Sequence, residues 1–274
     1  VVLVFVTSVR HPHNSNSYEA VWRLLEDTIA SVTNQDDDAY EVIVVVNDDR
    51  LPPLPAALRH PKVHVQPVGF PPPSPIAAAA TDMASIRVDR GAKYAVGLLA
   101  AERFSPDHVM FFDADDFVSR RLSSFAATDP RAPGWVIREG WWLIRRQVIA
   151  VDRFYTRCGT CNLLRFDVLR EQLDPALTTT ASLEEILRRV DDEFLRFILG
   201  SHKFAVSAFE AAGMALATVP FRAAVRNLQT GENHSDLLTD PPSAMDVTAR
   251  ATDWQPVDDA LAAEFGLPEQ HRPV

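Results

Sequence analysis

An α/β fold built on a mainly parallel sheet follows from three observations in this 274-residue sequence. Uninterrupted apolar runs of strand length, VVLVFV at 1–6 and VIVVV at 42–46, show no polar alternation, so both faces of those strands must be covered. Between such runs lie segments whose apolar residues recur at helical spacing. Three runs end abruptly in polar groups, TSVR at 7–10, NDDR at 47–50 and DADD at 113–116. Parallel α/β sheets bind ligands at the carboxyl ends of their strands, so these polar ends mark one crevice.

The elements follow in order. VVLVFVTS is the first strand, and YEAVWRLLEDTIASV (18–32) sets Val21, Leu24, Leu25, Ile29 and Val32 on one helical face. EVIVVVNDD (41–49) and KVHVQPV (62–68) are the second and third strands, and DHVMFFDADD (107–116) the fourth. A long helix over about 83–103, containing GAKYAVGLLAAERF, separates the last two. LPPLP (51–55) and FPPPSP (70–75) are loops, because proline continues neither a helix nor a central strand. After residue 117 the texture changes: GWVIREGWWLIRRQVIAV (134–151) is strand-like, and CGTCNLLRFDVL (158–169) is a turn and strand entering a helix at Asp167. SLEE (182–185) is a capping box. A helix running on from it through Asp191 and Asp192 would pair Arg188 with Asp192 and Arg189 with Glu193. TVPFRAAVRNLQTGENHSDLL (218–238) is a strand-like run and a polar loop, and a short helix falls at 256–265. The organisation expected is one compact domain with a first half, 1–117, and a C-terminal subdomain, 118–274.

A net charge of −10 argues against a general nucleic-acid binder or an anionic-membrane binder, both of which need a basic surface. The apolar runs are too short to span a bilayer, so a soluble, cytoplasmic protein without a transmembrane segment is expected. Cys158 and Cys161 form a lone CxxC with no second pair to complete a zinc site, and read as ordinary thiols of a reducing compartment.

Asp113, Asp115 and Asp116 are the chemical core of the sequence. Carboxylates crowded at the end of a buried strand repel one another and lose hydration, so a cation or hydrogen-bond donors must offset the cost. No GxGxxG or GxxxxGK[ST] follows any strand, which removes the dinucleotide and P-loop readings. DDD at 36–38 repeats the spacing but sits in a polar loop, where solvated charge is the plain reading. TDMASIRVDRGAKY brings Arg87, Arg90 and Lys93 toward the crevice.

The order of TSVR, VVNDD, DRGAKYAVGLLAA and VMFFDADDFVS resembles the GT-A glycosyltransferases, especially their inverting family 2 group. The resemblance covers about residues 1–120 well and the remainder in outline. It implies a Rossmann-like, mainly parallel mixed sheet with helices on both faces and an acceptor-side C-terminal subdomain. It also implies a nucleoside diphosphate sugar donor, a hydroxyl-bearing sugar or small-molecule acceptor, and Mn²⁺ or Mg²⁺ as cofactor. Carried over by residue, Asp113 is the first acid of a DxD motif, near the ribose and the metal, Ala114 lies beside the nucleotide, and Asp115 is a metal ligand. Asn47 or Asp48 reads the base, and Thr7, Ser8 and Arg10 line the nucleotide pocket, with Arg90 and Lys93 toward the diphosphate. VDDEFLRFILG (190–200) is similar to the family's acidic pair ahead of a helix, making Asp192 the catalytic base and Asp191 its neighbour, with His202 in reserve. His234 falls where a C-terminal histidine would complete the metal shell, on a loop closing over the donor. Trp141, Trp142, Thr160 and Asn162 fall on the acceptor side. Two other readings stand beside this one. A sugar-phosphate nucleotidyltransferase shares the fold class but would carry a glycine-rich, arginine-containing loop where VTSVRHPHNSNS stands. A non-catalytic nucleotide-sugar-binding protein would keep Asp113 and Asp115 without a working base.

Overall fold

The computed structural model describes residues 3–47, 55–74, 82–232 and 253–273. Four parallel strands, β1 (Leu3–Ser8), β2 (Tyr40–Asn47), β3 (Val63–Val68) and β4 (His108–Phe112), lie in the order β3-β2-β1-β4. The sheet continues past β4 through β9 (Asn162–Arg165), which is antiparallel, to β6 (Gly134–Val136) and β10 (Ala217–Thr218). A second sheet runs β12 (Gln255–Pro256), β8 (Gln147–Asp152), β7 (Glu139–Ile144), β11 (Ala224–Asn227), β5 (Phe117–Val118). The fold is therefore the mixed, mainly parallel α/β kind that the GT-A resemblance implies.

The unbroken apolar runs divide by parity. Leu3, Phe5, Val42, Val44, Val46, Met110 and Phe112 pack against Val21, Trp22, Leu25 and Ile29 of α1 (Tyr18–Val32). Val4, Val6, Ile43, Val45, Val109 and Phe111 face the other way, onto Ala92, Ala95, Val96 and Leu99 of α2 (Met83–Ala101). Each face thus has its own helix, which is why polar residues in β1, β2 and β4 appear only toward the strand ends. Full burial of one such Leu or Phe is worth about 1.5–3 kcal/mol, so both layers are strongly specified. Ser17 caps α1 and Asp82 caps α2, each accepting from a backbone N–H three residues on.

Three departures from the sequence reading have local causes. The helix expected over 83–103 stops at Ala101 and tightens into a 3₁₀ turn, Glu102–Phe104, which ends at Ser105 in the left-handed region, φ 47°. The fourth strand ends at Phe112, because Asp116 N–H donates to the Asp113 carbonyl (3.2 Å) and folds DADD into a turn linking the two sheets. The capping box forms, but its helix, Leu183–Arg189, ends at Val190, which is extended at φ −105°, ψ 137°. One helix therefore does not run through both acids. Arg189 pairs with Asp174 at 3.0 Å and Asp192 with Arg196, in place of the two expected pairs.

No helix among the described residues is long and apolar enough to cross a membrane.

Candidate active site

A cleft of about 650 Å³ opens beyond the carboxyl ends of β1 and β4, with the DADD turn as its floor. Asp116 is buried beneath it, accepting from the Cys158 thiol (3.0 Å), the Thr160 hydroxyl (2.6 Å) and the Asn227 backbone N–H (3.2 Å). Burial, then repulsion from Asp113, raises this carboxyl to about 6 against the bonds from Cys158 and Thr160. Asp113 forms an ion pair with Arg90 and accepts from the Gly159 N–H at 3.2 Å, while its own N–H donates to the Thr160 hydroxyl at 2.9 Å. The turn 158–160 is thus fastened to the acidic turn at four points, and CGT serves as its clamp.

Asp115 is different. It lines the cleft and has no hydrogen-bond partner among the described residues. Burial first, then the charges of Asp116 and Asp113, holds its carboxyl well above the usual range, while Arg226 and Arg10 act in the opposite sense. Ligand atoms of Asp113, Asp116 and Cys158 come within 4.8 Å of one another. Cys158, however, is a buried thiol whose pKa burial and then Asp116 push far up, and it spends its proton on Asp116. A protonated soft donor beside a hydrogen-bond-saturated carboxylate suits a hard cation poorly. The open carboxylate edge belongs to Asp115, with Asp113 next to it. Both cysteines are free and buried with raised pKa values, so they should resist a thiol reagent such as DTNB until the protein unfolds. Fast reaction of either in the native state would contradict this account.

The other expected site residues are distributed unevenly. Ser8, Arg10, Arg90, Asp113, Ala114 and Trp142 line the cleft with Asp115. Thr7 is buried and donates to the Phe112 carbonyl (2.8 Å), tying β1 to β4. Lys93, also fully buried, binds the Val9 carbonyl (2.9 Å) and Asp89 (2.8 Å), so its charge is spent inside the fold. Asn47 is buried at the end of β2 with its amide donating to the Phe70 carbonyl at 3.0 Å. Trp141 points away from the cleft, since alternation along β7 sends it to the cluster beneath the second sheet, where Arg222 stacks on it at 5.1 Å. Thr160 lies behind the acidic turn, and Asn162 is buried with its amide donating to the His202 carbonyl at 3.3 Å. Asp191 caps the following turn by accepting from Phe194 N–H (2.9 Å), and Asp192 is exposed at the surface. Neither lines the cleft. Asp48 and His234 fall outside the described residues.

His202 does reach the cleft, and a π-helix puts it there. The turn Phe194–Leu199 closes with Gly200 N–H donating to the Leu195 carbonyl at 2.8 Å, a wide spacing that recurs at functional sites. Gly91 and Gly200 let this turn cross α2 backbone to backbone: an added Cβ at Gly91 would overlap the Leu195 carbonyl oxygen, and one at Gly200 the Arg87 carbonyl oxygen. His202 follows directly, its Nε2 buried without a hydrogen-bond partner. Burial, then the charge of Arg90, lowers its pKa from the ordinary 6.5 to about 4. Because the folded state holds the neutral form, this contribution to stability is complete above about pH 6.5 and is lost as pH falls toward 4. His202→Gln should therefore lose less melting temperature than wild type between pH 6.5 and 4; an equal loss would show that the imidazole is not held neutral.

Arg157, Arg226, His11, Lys203 and Glu232 also line the cleft and were not marked by the sequence reading. Glu232 bonds Arg10 (2.9 Å) and the N–H groups of Asn16 (3.2 Å) and Ser17 (2.7 Å), strapping the segment after β11 across the loop after β1. Only the polar end of the run TVPFRAAVRN gave a hint of Arg226.

No family model and no curated protein matches the sequence. Among solved structures, the chain is similar to TarS of S. aureus, with a TM-score of 0.45 and 16% identity, covering 83% of this chain and 37% of that one. It is similar to 4-diphosphocytidyl-2C-methyl-D-erythritol synthase of Anaerococcus prevotii, with a TM-score of 0.42, 12% identity and coverage of 86% and 92%. It is also similar to mouse xyloside xylosyltransferase 1, with a TM-score of 0.36, 12% identity and coverage of 80% and 85%. The chain thus spans little more than a third of the TarS chain, 37%.

Proposed function

We propose that the protein is a metal-dependent glycosyltransferase that moves a sugar from a nucleoside diphosphate sugar to an acceptor hydroxyl. The observation that carries this reading is Asp115: a carboxylate at the floor of a large cleft, at a strand end, that no donor among the described residues satisfies and two neighbouring acids repel. Such a group is stabilised by a divalent cation, and the oxygens of Asp115, with Asp113 next to them, would hold it. A metal so placed supplies charge neutralisation for a diphosphate leaving group. The protein's own groups do the rest. Arg10 and Arg226 bring positive charge to the same floor, and Arg90 fixes Asp113.

An acceptor hydroxyl must lose its proton as it attacks, and two groups compete for that role. His202 lines the cleft, whereas Arg196 holds Asp192 at the surface, so the geometry favours His202. His202→Gln should lower transfer by roughly 10²-fold or more with donor affinity retained, and Asp192→Asn by much less. The reverse pattern would return the role to Asp192.

Calorimetry with UDP and with GDP tests the reading as a whole. Binding is expected with Mn²⁺ or Mg²⁺ and absent in EDTA, because the bare diphosphate would meet like charge. Equal affinity in EDTA would remove the metal. Release of pyrophosphate from a nucleoside triphosphate and a sugar phosphate would make the protein a nucleotidyltransferase instead.

A further inference from the structure

The rim of the cleft beside His202 carries an unusual pair of features. Phe204 is 40% exposed and Met83 45%, although both are large and apolar. Phe204 stands edge-on to Phe197, 5.2 Å between ring centres at 77°, and the Arg87 guanidinium lies over the Phe197 ring at 5.6 Å. Met83 and Lys203 line the cleft, so this aromatic ledge borders the same space that Asp115 faces. Among the described residues the cations of the ledge have no acid partner. Arg196, one residue before Phe197, is neutralised by Asp192, and Lys93 by Asp89, but neither Arg87 nor Lys203 has a carboxylate within ion-pair distance among the described residues. The Arg87 Nε is buried with no hydrogen-bond partner, and the buried Nε2 of His202, next to Lys203, has none either. In a chain of net charge −10, two cations without an acid partner among the described residues, beside the exposed ring of Phe204 and the half-buried ring of Phe197, make a surface that is incomplete by itself.

We propose that this rim is the acceptor subsite, and that it takes a carbohydrate ring bearing a carboxylate or phosphate. The inference rests on the glycosyltransferase reading for the word acceptor, but not for the ligand chemistry. Aromatic rings pack against the C–H face of a sugar ring, and Phe204 offers an exposed one at this rim. Lys203 and Arg87 supply the charge for an anionic substituent, the guanidinium as a planar two-donor fork and the ammonium as a point charge. His202 Nε2, held neutral, is left as an acceptor for a hydroxyl at the inner end of the same ligand. An uncharged acceptor would leave both cations unanswered, and an aliphatic one would leave the ring stacking unused.

Binding to the whole protein, measured by saturation-transfer NMR and calorimetry, tests this with four probes: glucose 6-phosphate, glucuronate, glucose and inorganic phosphate. The sugar phosphate, the uronate or both should bind roughly tenfold or more tightly than glucose. Whichever of the two binds better identifies the substituent. Lys203→Ala should erase most of that preference, and Phe204→Ala should weaken every sugar probe while leaving inorganic phosphate as it was. Both positions lie at the surface, so both variants should fold, Lys203→Ala melting as wild type and Phe204→Ala slightly lower for its lost contact with Phe197. Glucose binding as tightly as the charged sugars, inorganic phosphate binding as tightly as the sugar phosphate, undiminished preference in Lys203→Ala, or no binding of either charged sugar would each overturn the proposal. Metal-dependent UDP or GDP binding is scored separately, in the wild type. Its absence from wild type would sink the transferase reading while leaving the anionic-sugar rim to stand or fall on the four probes.

Discussion

Asp115→Asn should abolish most metal-supported nucleotide binding, weakening it on the order of 10²-fold or more, and at the same time raise the melting temperature of the metal-free protein. Both effects come from one fact. In the wild type this carboxyl loses hydration and, when ionised, meets the charges of Asp113 and Asp116, with no hydrogen bond in return among the described residues, so the empty fold carries that cost. The amide removes the charge and keeps the shape, which should stabilise the protein by about 1 kcal/mol, the usual exchange of stability for function at a binding site. Calorimetry and a thermal melt, each with and without Mn²⁺, read the two effects independently. Asp37→Ala, in the other acidic run, should bind nucleotide as wild type. An Asp115→Asn protein that still binds nucleotide with Mn²⁺ would exclude Asp115 as a ligand, and one that melts lower than wild type would show that the carboxylate is satisfied in a way the geometry does not reveal.

Gly91→Ala should destabilise the protein by about 3 kcal/mol, a large cost for one methyl group. The clash is with the Leu195 carbonyl, which is backbone and cannot rotate away as a side chain would. That same carbonyl accepts the bond from Gly200 N–H that closes the π-helix, so relief of the clash must open the turn that delivers His202. Arg90 is the next residue back along α2, and any shift of the helix also loosens its ion pair with Asp113. Urea denaturation should show a lower midpoint with an unchanged slope. Stability within about 0.5 kcal/mol of wild type would mean that the two backbones are not in contact there.

The elements most legible in the sequence are those decided by short-range pattern. VVLVFV, VIVVV and HVMFF could be placed in a doubly covered sheet because each residue's face is set by its own parity. Ser182 with Glu185 announced a capped helix, since the capping bonds join residues three apart. The acidic turn could be set at a strand end and expected to need a cation, because charge repulsion among Asp113, Asp115 and Asp116 is local. What the sequence could not decide was which cation each acid meets and which polar residue faces the cleft. Lys93 and Arg90 stand three residues apart on α2, yet Lys93 turns into the fold toward Val9 and Asp89 while Arg90 meets Asp113, 23 residues away. Arg10 and Glu232 are 222 residues apart and become partners only because β11 enters the second sheet beside β7. Trp141 and Trp142 are adjacent and identical, and strand alternation alone gives the cleft to Trp142. The sequence by itself thus determined the layers and the site of unpaired negative charge, both products of local pattern. The tertiary structure alone decided the composition of the cleft, because long-range strand pairing and the crossing of α2 with the π-helix set which distant charges come within reach of that floor.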